Sequence, residues 1–230
     1  MRLRSAALPA ALAALMLSAC GKDEGPLAPL AYVPADTPYV LASIEPMPQA
    51  FMDAWIDSTD PILGAYVDFI DVMVRKMEQE GEADPQAIAL LQGLKAEVAG
   101  KSVRQIMQDW GLSLSPRSAV YGLDLVPVAR VEIADEAKFR ETVARLEKAA
   151  GHALSTAKVD DLDYWYLQLD DQPLRGVLAV QGNHLVLSFT PANADDALMR
   201  QVLGLELPKQ SLADSDVLAD FNKRFGYTPY

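Results

Sequence analysis

The chain has 230 residues, 50% of them hydrophobic, enough for a core of domain size and too apolar for a disordered segment. Its 32 acidic residues outnumber 20 basic ones, and the net charge of −12 argues against nucleic acid as a partner, because such a surface repels phosphate backbones. One cysteine and two histidines exclude a disulfide framework and thiolate zinc sites.

Arg2 and Arg4 precede an apolar run from Ala6 to Leu17, which closes in Leu17-Ser18-Ala19-Cys20 and the charged stretch Gly21-Lys22-Asp23-Glu24. This is the layout of a secretory signal, and the run is far shorter than the roughly 20 apolar residues of a membrane span. Leu17, Ser18, Ala19 and Cys20 resemble the lipobox of bacterial lipoproteins. That resemblance implies cleavage before Cys20, a diacylglyceryl group on its thiol and acylation of the new amino terminus. Several acyl chains, at about 0.8 kcal/mol per buried CH₂, anchor stably where one chain binds only marginally. Residues 1–19 are thus expected to be a signal peptide and Cys20 the link to a membrane. Gly21 stands where an Asp retains enterobacterial lipoproteins in the inner membrane, so the resemblance implies the outer membrane, with the domain facing the periplasm. Once Cys20 is lipidated, the domain folds in an oxidising compartment by core packing alone.

Residues 20–30 carry charges, Gly25, Pro26 and Pro29 and read as the lipidated cysteine and a flexible tether; residues 31–230 read as the folded domain. Tyr39 to Ile44 reads as a strand between Pro38 and Pro46. From Pro61 to Glu80, Ile62, Tyr66, Ile70, Met73 and Met77 recur at spacings of three and four, predicting a helix that buries that face. Pro85 opens a second helix with Ile88, Leu91, Leu94 and Val98, up to Gly100. A shorter helix from Val103 to Trp110 ends at Gly111. Residues 46–115 are therefore expected to form a helical insertion.

After Pro116 the period becomes that of strands. Ser118 to Leu125 and Val128 to Ile133 flank Pro127, and Asp135 opens a helix with Phe139, Val143, Leu146 and Ala150, stopped by Gly151. Four strands follow: His152 to Val159, Leu162 to Leu169, Leu174 to Gln181 and His184 to Thr190. Asp160-Asp161, Asp170-Asp171-Gln172-Pro173 and Gly182-Asn183 supply turn chemistry between them. In the second strand Trp165, Leu167 and Leu169 share one face and Tyr164, Tyr166 and Gln168 the other, one of them core. Helices from about Asn193 to Leu203 and Ser215 to Phe225 close the pattern. The fold class is α+β: a largely antiparallel sheet with helices packed on it and a helical insertion after the first strand. Phe225 to Tyr230 resembles the start of another turn and strand, so a longer protein is expected.

Tyr32-Val33-Pro34-Ala35-Asp36-Thr37-Pro38-Tyr39-Val40, shortly after the lipobox, with Val120-Tyr121-Gly122-Leu123 and Val126 to Glu132, is similar to a family of bacterial envelope lipoproteins of unknown function. The resemblance implies an envelope location. It carries no catalytic residues to transfer.

Gly100-Lys101-Ser102 has the tail of a phosphate-binding loop, but Lys95 stands where the first glycine belongs and the residues before read as helix, so a helix-ending glycine is the better reading. No nucleophile elbow, paired-histidine metal motif or dinucleotide fingerprint is present. His152 and His184 start strands; a hydrolase borrowing one of them as a base stays open as the least favoured alternative. Asp160, Asp161 and Asp163 lack the glycine and distal glutamate of a calcium loop, so no metal and no cofactor are expected.

Met47, Met52, Met73, Met77 and Met107 lie in the insertion, against Met199 alone in the rest of the mature chain. Methionine suits permissive apolar binding surfaces, although such a stripe also serves as ordinary core. The expectation is a non-catalytic, lipid-anchored module that binds an envelope protein in the periplasm. The alternative is a carrier or sensor of an apolar ligand using the Met-bearing helices.

Overall fold

The computed structural model describes residues 28–80, 85–168 and 173–226. The lipobox with Cys20, the turn residues Asp170 to Gln172, Leu169 and the final Tyr227 to Tyr230 lie outside the described residues. The protein is α+β: a seven-stranded, wholly antiparallel sheet carries helices on both faces. The strands are β1 (Val40–Ser43), β2 (Ser118–Leu123), β3 (Val126–Glu132), β4 (Ser155–Val159), β5 (Leu162–Gln168), β6 (Leu174–Gln181) and β7 (His184–Pro191), in spatial order β1-β2-β3-β7-β6-β5-β4. The helices are α1 (Gln49–Glu80), α2 (Pro85–Val98), α3 (Val103–Asp109), α4 (Glu136–Ala150), α5 (Asp196–Leu203) and α6 (Val217–Phe225).

The first face of the sheet holds the main core. Tyr121, Val128, Val186, Ala179, Val177 and Tyr164 project from it against Met199, Val202 and Leu203 of α5 and against Leu30, Val33 and Leu212. Asp195 caps α5 by accepting from the Leu198 amide at 2.9 Å, and Gly204, at φ +75°, ends it. The segment after the 3-10 helix Ala28–Tyr32 is tied down by a bridge between Pro34 and Ser211 and by the Leu212 amide, which donates to Val33 O at 2.7 Å. The expected tether through residue 30 therefore ends sooner: Leu30 is buried because the main core needs an apolar lid at that edge.

On the second face α4 covers one end only. Its Phe139 and Val143 pack on Ile133, Val180 and Leu185, with Leu112, Leu154, Trp165 and Leu178 at the margin. Asp135 caps α4 from the Lys138 amide at 3.1 Å, and Gly151 closes it in the left-handed conformation. Beyond α4 the insertion stacks outward. Helix α2 lies on α4, where Gly93 approaches Ala149 so closely that a side chain would collide, and Arg145 pairs with Glu97 at 2.7 Å. Helix α1 lies on α2 and α3, with Lys95 on Asp71 at 2.5 Å and Arg104 on Asp53.

Helix α1 differs from expectation twice. It begins at Gln49, with Pro61 in its interior. Proline removes the amide that would bond Asp57 O, and in the preceding turn the Ser58 and Thr59 hydroxyls both donate to Trp55 O, at 2.7 and 2.8 Å. Its inward stripe is Met52, Ile56, Leu63, Val67, Ile70, Val74 and Met77, whereas Ile62, Tyr66 and Met73 face outward. Two apolar stripes at helical spacing run side by side, and only docking on α2 and α3 selects between them.

Candidate functional site

The site grows from the pleat of the sheet. Side chains of alternate residues share a face, and the register aligns Leu41, Val120, Ala129, Leu187, Leu178 and Trp165 as one row on the second face. The next row away from α4 contains Phe189, Gly176 and Leu167. Helix α4 reaches the first row only at Leu178 and Trp165 and stops short of the second. Phe189 is 64% and Leu167 52% exposed, values that no half-buried strand position requires.

All of these residues except Leu41 line a concavity of about 460 Å³ that also includes Pro127 and Leu154, within the roughly 300 to 1,000 Å³ of small-molecule pockets. None of the lining residues is charged, and the Ser188 hydroxyl is already engaged, donating to Pro127 O at 2.8 Å. Gly176 keeps the floor low, because a Cβ there would meet nothing nearer than Phe189 Cε1 at 3.8 Å. Where the trough meets the helix-covered end, Arg140 of α4 lies 5.2 Å from the Trp165 ring centroid. Such a surface holds a guest by apolar burial and shape.

The residues singled out from the sequence fall elsewhere. Of the five methionines, Met52 is buried, Met77 half-buried on the same side of α1, and Met73 exposed. Met47 and Met107 are half-buried, Met47 giving its carbonyl to the Ser115 hydroxyl at 3.3 Å. None of the five lines the trough. Gly100 at φ +73° follows α2, and Ser102 forms a capping box with Gln105 at the start of α3, so this segment is helix punctuation. His184 is buried with its ring edge-on to Tyr32 at 6.0 Å, and His152 Nδ1 sits 3.3 Å from Ala150 O.

Asp160, at φ +52° in the β4–β5 turn, accepts two bonds from Arg200 of α5, at 2.7 and 3.0 Å. That guanidinium holds the Asp160 carboxyl below its usual range. The turn thus clamps α5 to the sheet. Among the described residues no group of three or more His, Cys, Asp or Glu is placed to hold a metal ion, and no helix is long and apolar enough to cross a membrane.

The chain matches no family model, no curated protein and no solved structure. The trough therefore stands on its own geometry. Sequence reasoning missed it because the apolar residues of β5, β6 and β7 populate both faces, as in a doubly covered strand. The one available signal was Gly176 in the middle of an apolar strand.

Proposed function

We propose that this protein is a bacterial cell-envelope lipoprotein, anchored through Cys20 in the outer membrane and facing the periplasm, that works as a non-catalytic binding module. Its bare sheet face takes an envelope protein partner. The observation that carries this reading is the trough: apolar side chains across the sheet that α4 covers only at Leu178 and Trp165, with no charged residue in the lining. Burying surface of this kind is the main driving force of association. The test is in-cell crosslinking from a photoreactive residue at Leu187. The expected result is a discrete protein adduct absent when the photoreactive residue replaces exposed Asp161. Adducts no stronger at 187 than at 161 overturn the partner reading. Anchoring is tested separately, since Cys20→Ser should release the protein from membrane fractions.

The size and apolar lining of the same concavity favour a second reading, a carrier or sensor of an apolar ligand. This moves the ligand from the Met-bearing helices to the sheet. Native mass spectrometry of the Cys20→Ser chain from the periplasm separates the two: a lipid-sized mass lost on denaturation favours the carrier, and a bare protein favours the module.

A further inference from the structure

At about 3.6 residues per turn, Phe51, Trp55, Ile62, Tyr66, Phe69 and Met73 fall within an arc of roughly 60° on α1. All six are exposed, Tyr66 by 63%. The inward stripe flanks this arc, and Asp53, Asp57, Asp60, Asp68, Asp71 and Glu78 occupy an arc of roughly 80° on the opposite side. Helix α1, about 48 Å long at 1.5 Å per residue, is thus divided lengthwise into an inward apolar face, an outward aromatic face and an acidic face.

We infer that the outward aromatic face of α1 lies on a lipid bilayer surface, parallel to it, so that the lipoprotein rests on its membrane as well as being tied to it. The inference rests on the anchoring through Cys20 proposed above. Three observations select a membrane as occupant. First, the chain between Cys20 and Ala28, where the described structure begins, spans at most about 29 Å at 3.6 Å per residue. A tether shorter than α1 itself keeps a bilayer at high effective concentration beside the domain. Second, the stripe is rich in aromatics and includes Trp55 and Tyr66, whose rings are apolar with a polar edge and settle at the headgroup level. Third, a protein of net charge −12 meets repulsion wherever its carboxylates face lipid phosphates, and this stripe is the side of α1 turned away from every acid of the helix except Glu80 at its last position. No helix among the described residues is long and apolar enough to span, so the contact is interfacial.

The test uses the full mature chain carrying Cys20→Ser, which has no lipid of its own, and vesicles of zwitterionic phosphatidylcholine. The chain should float with the vesicles, and Ile62→Asp and Phe69→Asp, on different turns, should each lower the bound fraction at least about fivefold, as expected from losing one half-exposed large apolar contact and adding a charge. Both positions are exposed, so the variants should keep the parent's circular dichroism and melting temperature. No flotation, or flotation unchanged by both substitutions, overturns the inference. A dimer seen by sedimentation and lost in both variants, without flotation, overturns it in favour of a second copy of the chain. Failure of the anchor is read independently, from unchanged fractionation of Cys20→Ser in cells.

Discussion

The guanidinium of Arg130 lies 3.9 Å from the centroid of the Tyr32 ring, inside the main core. It is fully buried, donating to the Tyr121 hydroxyl at 3.1 Å, to Val202 O at 3.0 Å and to Gln181 at 3.4 Å. Among the described residues no carboxylate pairs with it. The charge is spread over a planar fork that three neutral acceptors and one aromatic face satisfy, which an ammonium group does not reproduce. Burial holds the Tyr121 hydroxyl above its ordinary pKa, with Arg130 opposing that rise, so a neutral phenol faces the cation. Arg130→Lys should destabilise the fold by about 3 kcal/mol, and more than Arg130→Met, which removes the charge altogether. Urea denaturation midpoints of the three proteins decide it. A lysine variant as stable as the parent would show the fork to be dispensable.

Gly204 follows directly from that packing. It stands at φ +75°, and a Cβ there would run into Arg130 and Tyr32. Gly204→Ala should cost about 1 to 2 kcal/mol for the left-handed backbone and more for the contact. Because the contact is with Arg130, combining it with Arg130→Met should give less than the sum of the single losses, measured as a double-mutant cycle.

Asp60 joins the two sides of the insertion. Its carboxylate accepts from the Val103 amide at 2.7 Å, while Ser102 accepts from the Gln105 amide at 3.2 Å. A side chain of α1 thus supplies one acceptor at the start of α3, and its negative charge suits a helix amino terminus. Asp60→Ala should cost about 1 kcal/mol, with faster amide exchange at Val103, and Asp60→Asn should recover part of the loss. Equal exchange in all three proteins would remove Asp60 from the cap.

These features also show what the sequence could disclose. Caps and turns were legible because their chemistry is local: Asp135, Gly151, Asp160 and Gly182 fall where the sequence placed them. The start of α1 was not, because Pro61 favours a first turn and only its surroundings permit an interior place. Nor was the buried side of α1, since Ile62, Tyr66 and Met73 repeat as regularly as Leu63, Val67 and Val74. For β5 the sequence offered two faces, and the Tyr164 face is core while Leu167 lies open. The trough exists because α4 covers Leu185 and not Leu187, which depends on where a distant helix docks.

Glu132 carries the clearest pH dependence. It accepts from Arg117 Nε at 3.1 Å, from Nη2 at 2.6 Å and from the Arg117 amide at 3.2 Å. These bonds hold its carboxyl below the usual range, although partial burial works the other way. A depressed carboxylate stabilises the fold above its unfolded value of about 4.3 and loses that contribution as pH falls through the lower folded value. Glu132→Gln should therefore be less stable than the parent near pH 6 by about 1 to 2 kcal/mol, with the gap closing below about pH 4. A gap that stays constant down to pH 3 would mean that the charge of Glu132 contributes nothing.

Gly176→Val separates folding from binding at the trough. In a strand interior glycine costs roughly 0.5 to 1 kcal/mol relative to alanine, and valine suits an extended, paired position. The new Cβ would meet Phe189 and Leu167 only at ordinary contact distances of 3.8 and 3.9 Å, so the backbone has no reason to move. Thermal stability should hold or rise by up to about 1 kcal/mol. The two added methyl groups stand on the floor between Phe189 and Leu167, where a guest would otherwise settle. Adduct yield from a photoreactive residue at Leu187 should accordingly fall at least about fivefold, the equivalent of roughly 1 kcal/mol of lost contact. Undiminished adducts in a stably folded Gly176→Val protein would place the partner on another surface.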